Sequence, residues 1–235
     1  MKKKKISFSW SGGKDSAFAL LQLEADSSLE IAELHTVIGK ETQRVGLHGT
    51  KRELIEAQAK SLGYPLKIIE LPADNTNASY EKVMSTFYGA LKQRNISALG
   101  FGDIFLEDLK DYREALMKPY ALESFYPIWK KSTESLSKEI IESVIRTIIC
   151  AGNQMISSKE AVGTEYTHSF LLGLSDDIDP CGENGEFHSY VFDSPNFRTP
   201  IVVKNDGNHF KSYQIKNEDG TEEQISFEFA DLSLQ

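Results

Sequence analysis

Near the start of the chain, Ser11-Gly12-Gly13-Lys14-Asp15-Ser16 sets a lysine, a carboxylate and hydroxyls around a pair of glycines. Ile6, Phe8 and Trp10 alternate with serines ahead of it, the pattern of a short buried strand. Behind it, Ala17-Phe18-Ala19-Leu20-Leu21-Gln22-Leu23 is rich in strong helix formers. A strand, a glycine turn and a helix start gather free backbone N–H groups and the positive end of a helix dipole in one place. Phosphate is the anion that suits such a place, with Lys14 adding a full charge and Ser11 and Ser16 adding donors. Asp15 fits two roles, capping the helix or holding magnesium through water. A second loaded stretch is Asp179-Pro180-Cys181-Gly182-Glu183-Asn184-Gly185-Glu186-Phe187-His188-Ser189, where Glu183, Glu186 and His188 fall within six residues. If the chain is extended from Glu186, Glu186 and His188 share a face, since side chains alternate along a strand. Such a pair can move a proton, hold a metal or bind an amine. Glu-Asn-Gly is equally a surface-turn composition, so the residues alone leave both readings open.

These stretches need a scaffold, and the hydrophobic pattern predicts one. Strands are expected at Ile31–Ile38, Leu66–Leu71, Ile96–Ile104 and Phe125–Trp129, with helices at Lys51–Leu62, Tyr80–Arg94 and Glu107–Leu122. The alternation calls for an α/β fold, a parallel sheet with helices on both faces, and ligands in such sheets bind beyond the carboxyl ends of the strands. The phosphate loop, His48 and Asp103 all follow strands. From about residue 132 the character changes. One amphipathic helix is expected over Ser135–Cys150, then hairpin strands at Ser189–Phe192, Thr199–Lys204, Phe210–Lys216 and Gln224–Phe229. Asn205-Asp206-Gly207-Asn208 and Glu218-Asp219-Gly220 read as turns between them. The expected organisation is an α/β domain carrying the phosphate loop over 1–131 and a smaller α+β domain over 132–235.

Composition narrows the function. The 235 residues are 40% hydrophobic and 26% charged, ordinary for a globular protein. A net charge of −9 disfavours a nucleic-acid partner, which a basic face would have to attract. Cys150 and Cys181 make neither a disulfide framework nor a C-x-x-C metal site. No stretch approaches the roughly 18 apolar residues of a membrane span, and the basic start is not followed by an apolar run. A cytoplasmic protein is expected.

Ser11 to Ser16 lacks Walker and dinucleotide spacing and matches Ser-Gly-Gly-Lys-Asp-Ser, the PP-loop of the ATP pyrophosphatases. Together with Gly182-Glu183-Asn184-Gly185-Glu186-Phe187-His188, it makes the chain resemble the diphthine–ammonia ligase family. Leu47-His48-Gly49, Gly102-Asp103-Ile104 followed by Tyr112-Arg113-Glu114, and Pro127-Ile128-Trp129 support that likeness, which covers roughly residues 6–200. The resemblance implies an ATP-binding domain of the PP-loop ATP pyrophosphatase (HUP) type joined to a family-specific substrate domain. It implies a ligase that adenylates a carboxylate with ATP and magnesium, releases pyrophosphate, and lets ammonia displace AMP to leave an amide. Ser11, Gly12, Gly13, Lys14, Asp15, Ser16, Gly102 and Asp103 are then expected on the nucleotide, with Asp15 toward the metal. Lys14, His48, Glu183, Glu186 and His188 are expected in catalysis, and Arg113 and Asn184 at the substrate. Two departures matter. Ser189 stands where the family usually has Thr. The Phe101–Asp108 stretch looks most like a bacterial branch, the adenine nucleotide alpha hydrolase-like proteins. Bacteria as a group lack diphthamide, which leaves the acceptor and a homodimeric state open. The rival readings are an RNA-modifying PP-loop enzyme, against which the missing cysteine pairs speak, and a non-catalytic nucleotide sensor, which has no use for the second motif. His35, inside a strand, reads as structural.

Overall fold

The computed structural model describes residues 3–46, 48–74, 76–157, 160–216 and 222–235. Its first half alternates β1 (Lys4–Ser9), α1 (Lys14–Glu24), β2 (Leu29–Gly39), α2 (Arg52–Leu62), β3 (Leu66–Leu71), α3 (Asn77–Gln93), β4 (Ala98–Gly100), α4 (Glu107–Met117) and β5 (Glu123–Phe125). The five strands form one parallel sheet in the order β3-β2-β1-β4-β5. β1 is central, so the loop after it opens at the middle of the sheet's carboxyl edge. Burial separates the two faces. Ile6, Phe8 and Leu34 pack with Leu20 and Ile55 on one side, while Leu99 and Phe101 pack with Phe87, Leu91 and Met117 on the other. The sheet's interior also carries polar groups in register: Ser7 donates to Glu33 at 3.0 Å and lies 2.9 Å from His35 Nδ1. His35 is buried, held below the ordinary imidazole range at about 3 by burial and then by Arg113, and its ring lies 4.8 Å from that of Phe87.

The second half contains α5 (Thr133–Glu142), β6 (Arg146–Asn153), α6 (Gln154–Ser157), α7 (His168–Leu172), β7 (Phe187–Asp193), β8 (Val203–Lys216) and β9 (Glu222–Leu234). Its four strands form an antiparallel sheet in the order β7-β6-β9-β8. Apolar packing runs from the first sheet into this one, for Ile149, Tyr190 and Leu232 share a cluster with Ile6, Phe8 and Leu54. The backbones also join: Val191 N–H donates to Gly12 O at 2.9 Å and Arg198 N–H to Ser61 O at 2.9 Å.

Several boundaries differ from the expected ones. The helix predicted over Ser135–Cys150 stops at Glu142, because the chain turns through the left-handed region at Val144 (φ 62°). The Thr147-Ile148-Ile149 run that follows is β-branched and belongs to β6. β4 and β5 are each three residues long, and Tyr126 to Trp129 leaves the sheet as a turn. Asn205-Asp206-Gly207-Asn208 is a bulge within β8 and not a hairpin turn, the register slipping between Asn205 and Asn208. The turn expected at Glu218-Asp219-Gly220 lies outside the described residues.

Candidate active site

The loop after β1 is braced from both halves of the molecule. Gly12 takes φ +84°, which a side chain would strain, and its carbonyl accepts from Val191 N–H and, at 3.0 Å, from Gln58 Nε2. Gly13 has an ordinary extended backbone and is needed for space: a Cβ there would stand 3.1 Å from Ser189 O and 3.2 Å from His48 Cε1. Gln58, fully buried on α2, also accepts from Trp10 Nε1 at 2.9 Å and donates to Val191 O at 2.6 Å. The first amide of α1, Lys14 N–H, donates to Ser189 Oγ at 3.1 Å, so the hydroxyl at position 189 joins the loop.

Residues Ser11, Lys14, Asp15, Ser16, His48, Gly102, Asp103, Arg113, Glu183, Asn184 and His188 line one cavity of about 720 Å³. The two motifs, far apart in sequence, line it together, joined by the Lys14 hydrogen bonds to Ser189 and Cys181. Glu183 ties the second motif to the segment just past β4: Oε1 accepts from Ile104 N–H at 2.9 Å. Burial lifts the Glu183 carboxyl to about 7, against the Ile104 bond, with Asp15 and Asp103 adding repulsion. Asp103 pairs with Arg113, whose guanidinium lies 5.0 Å from the centre of the Phe101 ring. A smaller cavity of about 210 Å³ adjoins on the far side of Arg113, walled by Thr36, Val37, Tyr80 and Met84.

His48 and His188 are in contact, with ring centres 4.4 Å apart and ring planes tilted by 33°. Burial, reinforced by Lys14, holds His48 down at about 4; burial, then His48 and Lys14, holds His188 well below its usual value. Both imidazoles are therefore neutral near pH 7, and His48 Nδ1 and His188 Nε2 are buried without a hydrogen-bond partner among the described residues. An unpaired buried polar atom is costly, so two of them on one cavity wall mark a place for a small polar ligand.

Lys14 is 1% exposed, and its Nζ donates to Cys181 O and, at 2.8 Å, to Asp15 Oδ2. The rings of Phe187 and Tyr166 stand 5.2 and 5.5 Å from Nζ. Burial opposes the Lys14 charge, but Asp15 and its neighbours outweigh burial and raise its pKa, so the ammonium persists. Burial likewise raises Asp15, partly offset by Lys14. Tyr166, which donates to Pro180 O at 2.6 Å, stiffens the same loop. Tyr166 and Gln58 were not expected at the site. Gln58 carries a sequence signal, a polar residue on an otherwise apolar helix stripe with Leu54, Ile55, Ala59 and Leu62.

Glu186 does not line the cavity. β7 begins only at Phe187, so Glu186 sits in the preceding bend and not in alternation with His188. Its Oε1 accepts from Asp179 N–H at 3.0 Å and Asn184 Nδ2 at 3.2 Å, tying the loop that presents Glu183. Gly12 and Gly13 likewise shape the loop from outside the cavity lining.

Gly102 serves by absence of a side chain. A Cβ there would lie 2.9 Å from both Ser16 N and Ser16 Cα, backbone that cannot yield cheaply. Gly102→Ala is expected to destabilise by about 1–3 kcal/mol and to weaken ATP binding. Thermal melting and calorimetry with ATP check this, and an unchanged melting point together with unchanged affinity would refute the close approach.

Together, the central phosphate loop, the sheet order and the cavity at the strands' carboxyl edge define an α/β protein of the PP-loop type with a second antiparallel-sheet domain. A family model for the diphthamide synthase N-terminal domain matches residues 4–124, and one for the C-terminal domain matches residues 132–219. The chain belongs to the diphthamide synthase family, that of diphthine–ammonia ligase. It is similar to the diphthine–ammonia ligases of Bos taurus and Homo sapiens, each 25% identical over 219 residues and covered over 82% of this chain and 80% of theirs. The Schizosaccharomyces pombe diphthine–ammonia ligase is 23% identical over 211 residues, and this chain spans 35% of its length. Among solved structures, the U34-tRNA thiolase NcsA from Methanococcus maripaludis matches 60% of the chain at 19% identity with a TM-score of 0.38, covering 58% of NcsA. No helix among the described residues is long and apolar enough to cross a membrane.

Proposed function

We propose that the protein is an ATP-dependent ligase that adenylates a carboxylate, releases pyrophosphate and amidates the adenylate with ammonia. The observation that carries this reading is the meeting of the PP-loop and the Glu183–His188 motif across one cavity. Residues 1–131 serve the nucleotide and residues 132–235 the second half-reaction. The cysteines favour this reading over sulfur transfer: burial pushes the Cys150 thiol up to about 12 and raises Cys181 as well, so neither is a ready thiolate.

The donor set suits magnesium only when the polyphosphate shares in holding it. No group of three His, Cys, Asp or Glu side chains among the described residues could hold a metal alone. Asp15 Oδ1 is buried, unpartnered and on the cavity lining, which fits an ion held jointly by one carboxylate, water and phosphate oxygens. When bound there, magnesium supplies positive charge to the polyphosphate. Lys14 and the amides opening α1 offset charge on the leaving pyrophosphate, an electrostatic contribution to catalysis. The free nitrogens of His48 and His188 hold the amine, and Glu183 takes the proton that nitrogen releases as its bond to the acyl carbon forms and AMP leaves.

The nucleotide product tests the scheme. Incubation with magnesium, ATP, ammonium and candidate acids, followed by chromatography, is expected to give AMP and pyrophosphate in step with amide. Acid-dependent ADP would mean a phosphorylating ligase and would overturn the assignment.

A further inference from the structure

A second cavity, about 690 Å³, lies on the other side of the His48 loop, and no step above uses it. Its walls come from both halves of the molecule: Val37, Ile38 and Leu71 at the carboxyl ends of β2 and β3, and Phe229 on β9. Lys40, Arg44, His209 and Lys211 also line it, against one carboxylate, Glu41. A basic rim on a chain of net charge −9 is a local departure that an anionic ligand would read. Arg44 is engaged, donating to Gly49 O at 2.7 Å and to Asp231 at 3.0 Å, whereas Lys40 makes no ion pair among the described residues and is exposed.

The smaller cavity of about 210 Å³ links the groove to the active site, sharing Val37 and Val45 with the groove and Ser9, Ser11, Phe101 and Arg113 with the catalytic cavity. Gly46 and Gly49 line the groove, while His48 between them lines the catalytic cavity. Gly49 has φ +65°, and a Cβ on it would stand 2.6 Å from the Phe229 ring, so glycine lets that ring close against the loop. A ladder of rings continues the connection. His188 lies 6.5 Å from Phe227, Phe227 6.2 Å from Phe229, and Phe229 5.7 Å from His209. Phe227 and Phe229, two residues apart on β9, thus back the catalytic histidine with one ring and wall the groove with the other.

We propose that this groove holds the acceptor, a small acid with an apolar body and two anionic groups, an inference that rests on the ligase reading above. One carboxylate reaches through that smaller cavity to be adenylated, the body lies against Val37, Leu71 and Phe229, and the second anion meets Lys40. The volume is within the range of small-molecule sites, and an apolar wall with a few convergent charges is their usual lining.

Suberate, with an apolar chain between two carboxylates, is the probe, and octanoate and 1,8-diaminooctane are its controls. Amide NMR shifts should move at residues 37–46 and 71–73 with suberate, less with octanoate and not with the diamine. Lys40→Glu, at an exposed position, should weaken suberate by on the order of tenfold, exchanging an attraction for a repulsion. Ala73→Trp, placed on the exposed rim, should block it, and ATP affinity by calorimetry should be unchanged in both variants. Absence of suberate binding, shifts confined to residues 11–16, tighter binding of the diamine, or indifference to both substitutions would each overturn the proposal. Failure of the ligase reading looks different: ATP would not be bound or cut to AMP, whatever suberate does.

Discussion

Glu183→Gln is expected to leave ATP affinity near normal and to cut amide formation by about 10²–10⁴-fold, the range for loss of a positioned acid or base. The amide keeps an oxygen for Ile104 N–H, so the contact with the segment after β4 survives and only the charge and the basicity go. The wild-type rate should rise with pH through about 7, since a base works when deprotonated and burial lifts Glu183 to about 7. Stability should move the other way. Between the ordinary carboxylate value of 4.5 and about 7, the folded protein holds a proton on Glu183 that the unfolded chain has released. This contribution is therefore complete below that window and lost as pH rises through it, on the order of 3 kcal/mol before allowance for residual solvent contact. Melting followed well below and well above pH 7 should show the fall in the wild type and not in Glu183→Gln. Full activity of the variant on a verified acid, or a pH profile without a rise near 7, would remove Glu183 from the mechanism.

How far the site could be read in advance varied with the kind of signal. The phosphate loop was legible because six residue types and a strand–turn–helix setting coincide locally. Glu183 and His188 were legible as chemistry, but Glu186 was not separable from them. Its place outside the cavity lining goes with β7 starting one residue later, which period-two alternation cannot resolve in a Gly-rich turn. The split of Ser135–Cys150 into α5 and β6 turns on a single left-handed residue, Val144, a conformation the sequence does not advertise for a β-branched side chain. Tyr166 has no local mark, since its role arises only when the second sheet brings it over Lys14. Gln58 had one, a polar residue amid buried neighbours, and its hydrogen bonds to Trp10, Gly12 and Val191 are the reason it can be there.

Lys14→Met is expected to have the largest effect on both fold and function. Sequence alone treats Lys14 as a phosphate contact whose loss the fold survives, at about 1.5–3 kcal/mol in binding. The structure places the ammonium where it also compensates Asp15 and is enclosed by Phe187 and Tyr166. Methionine keeps a stem between the two rings, so packing is largely retained and the charge is what is lost. Asp15 then stands buried near Glu183 without its counter-ion, and breaking such a pair costs about 3–5 kcal/mol. For a chain of this size each kcal/mol moves the melting point by about 2–4 °C, so a fall on the order of 10 °C should be measured. Adding Asp15→Asn removes the stranded charge and should restore most of the stability, a coupling that a double-mutant cycle reads directly. It should not restore ATP turnover, because the cation that the proposed scheme sets against the leaving pyrophosphate and the carboxylate it gives to magnesium are both missing. A Lys14→Met protein as stable as wild type would deny the buried pair, and a double variant with normal turnover would deny Lys14 its catalytic part.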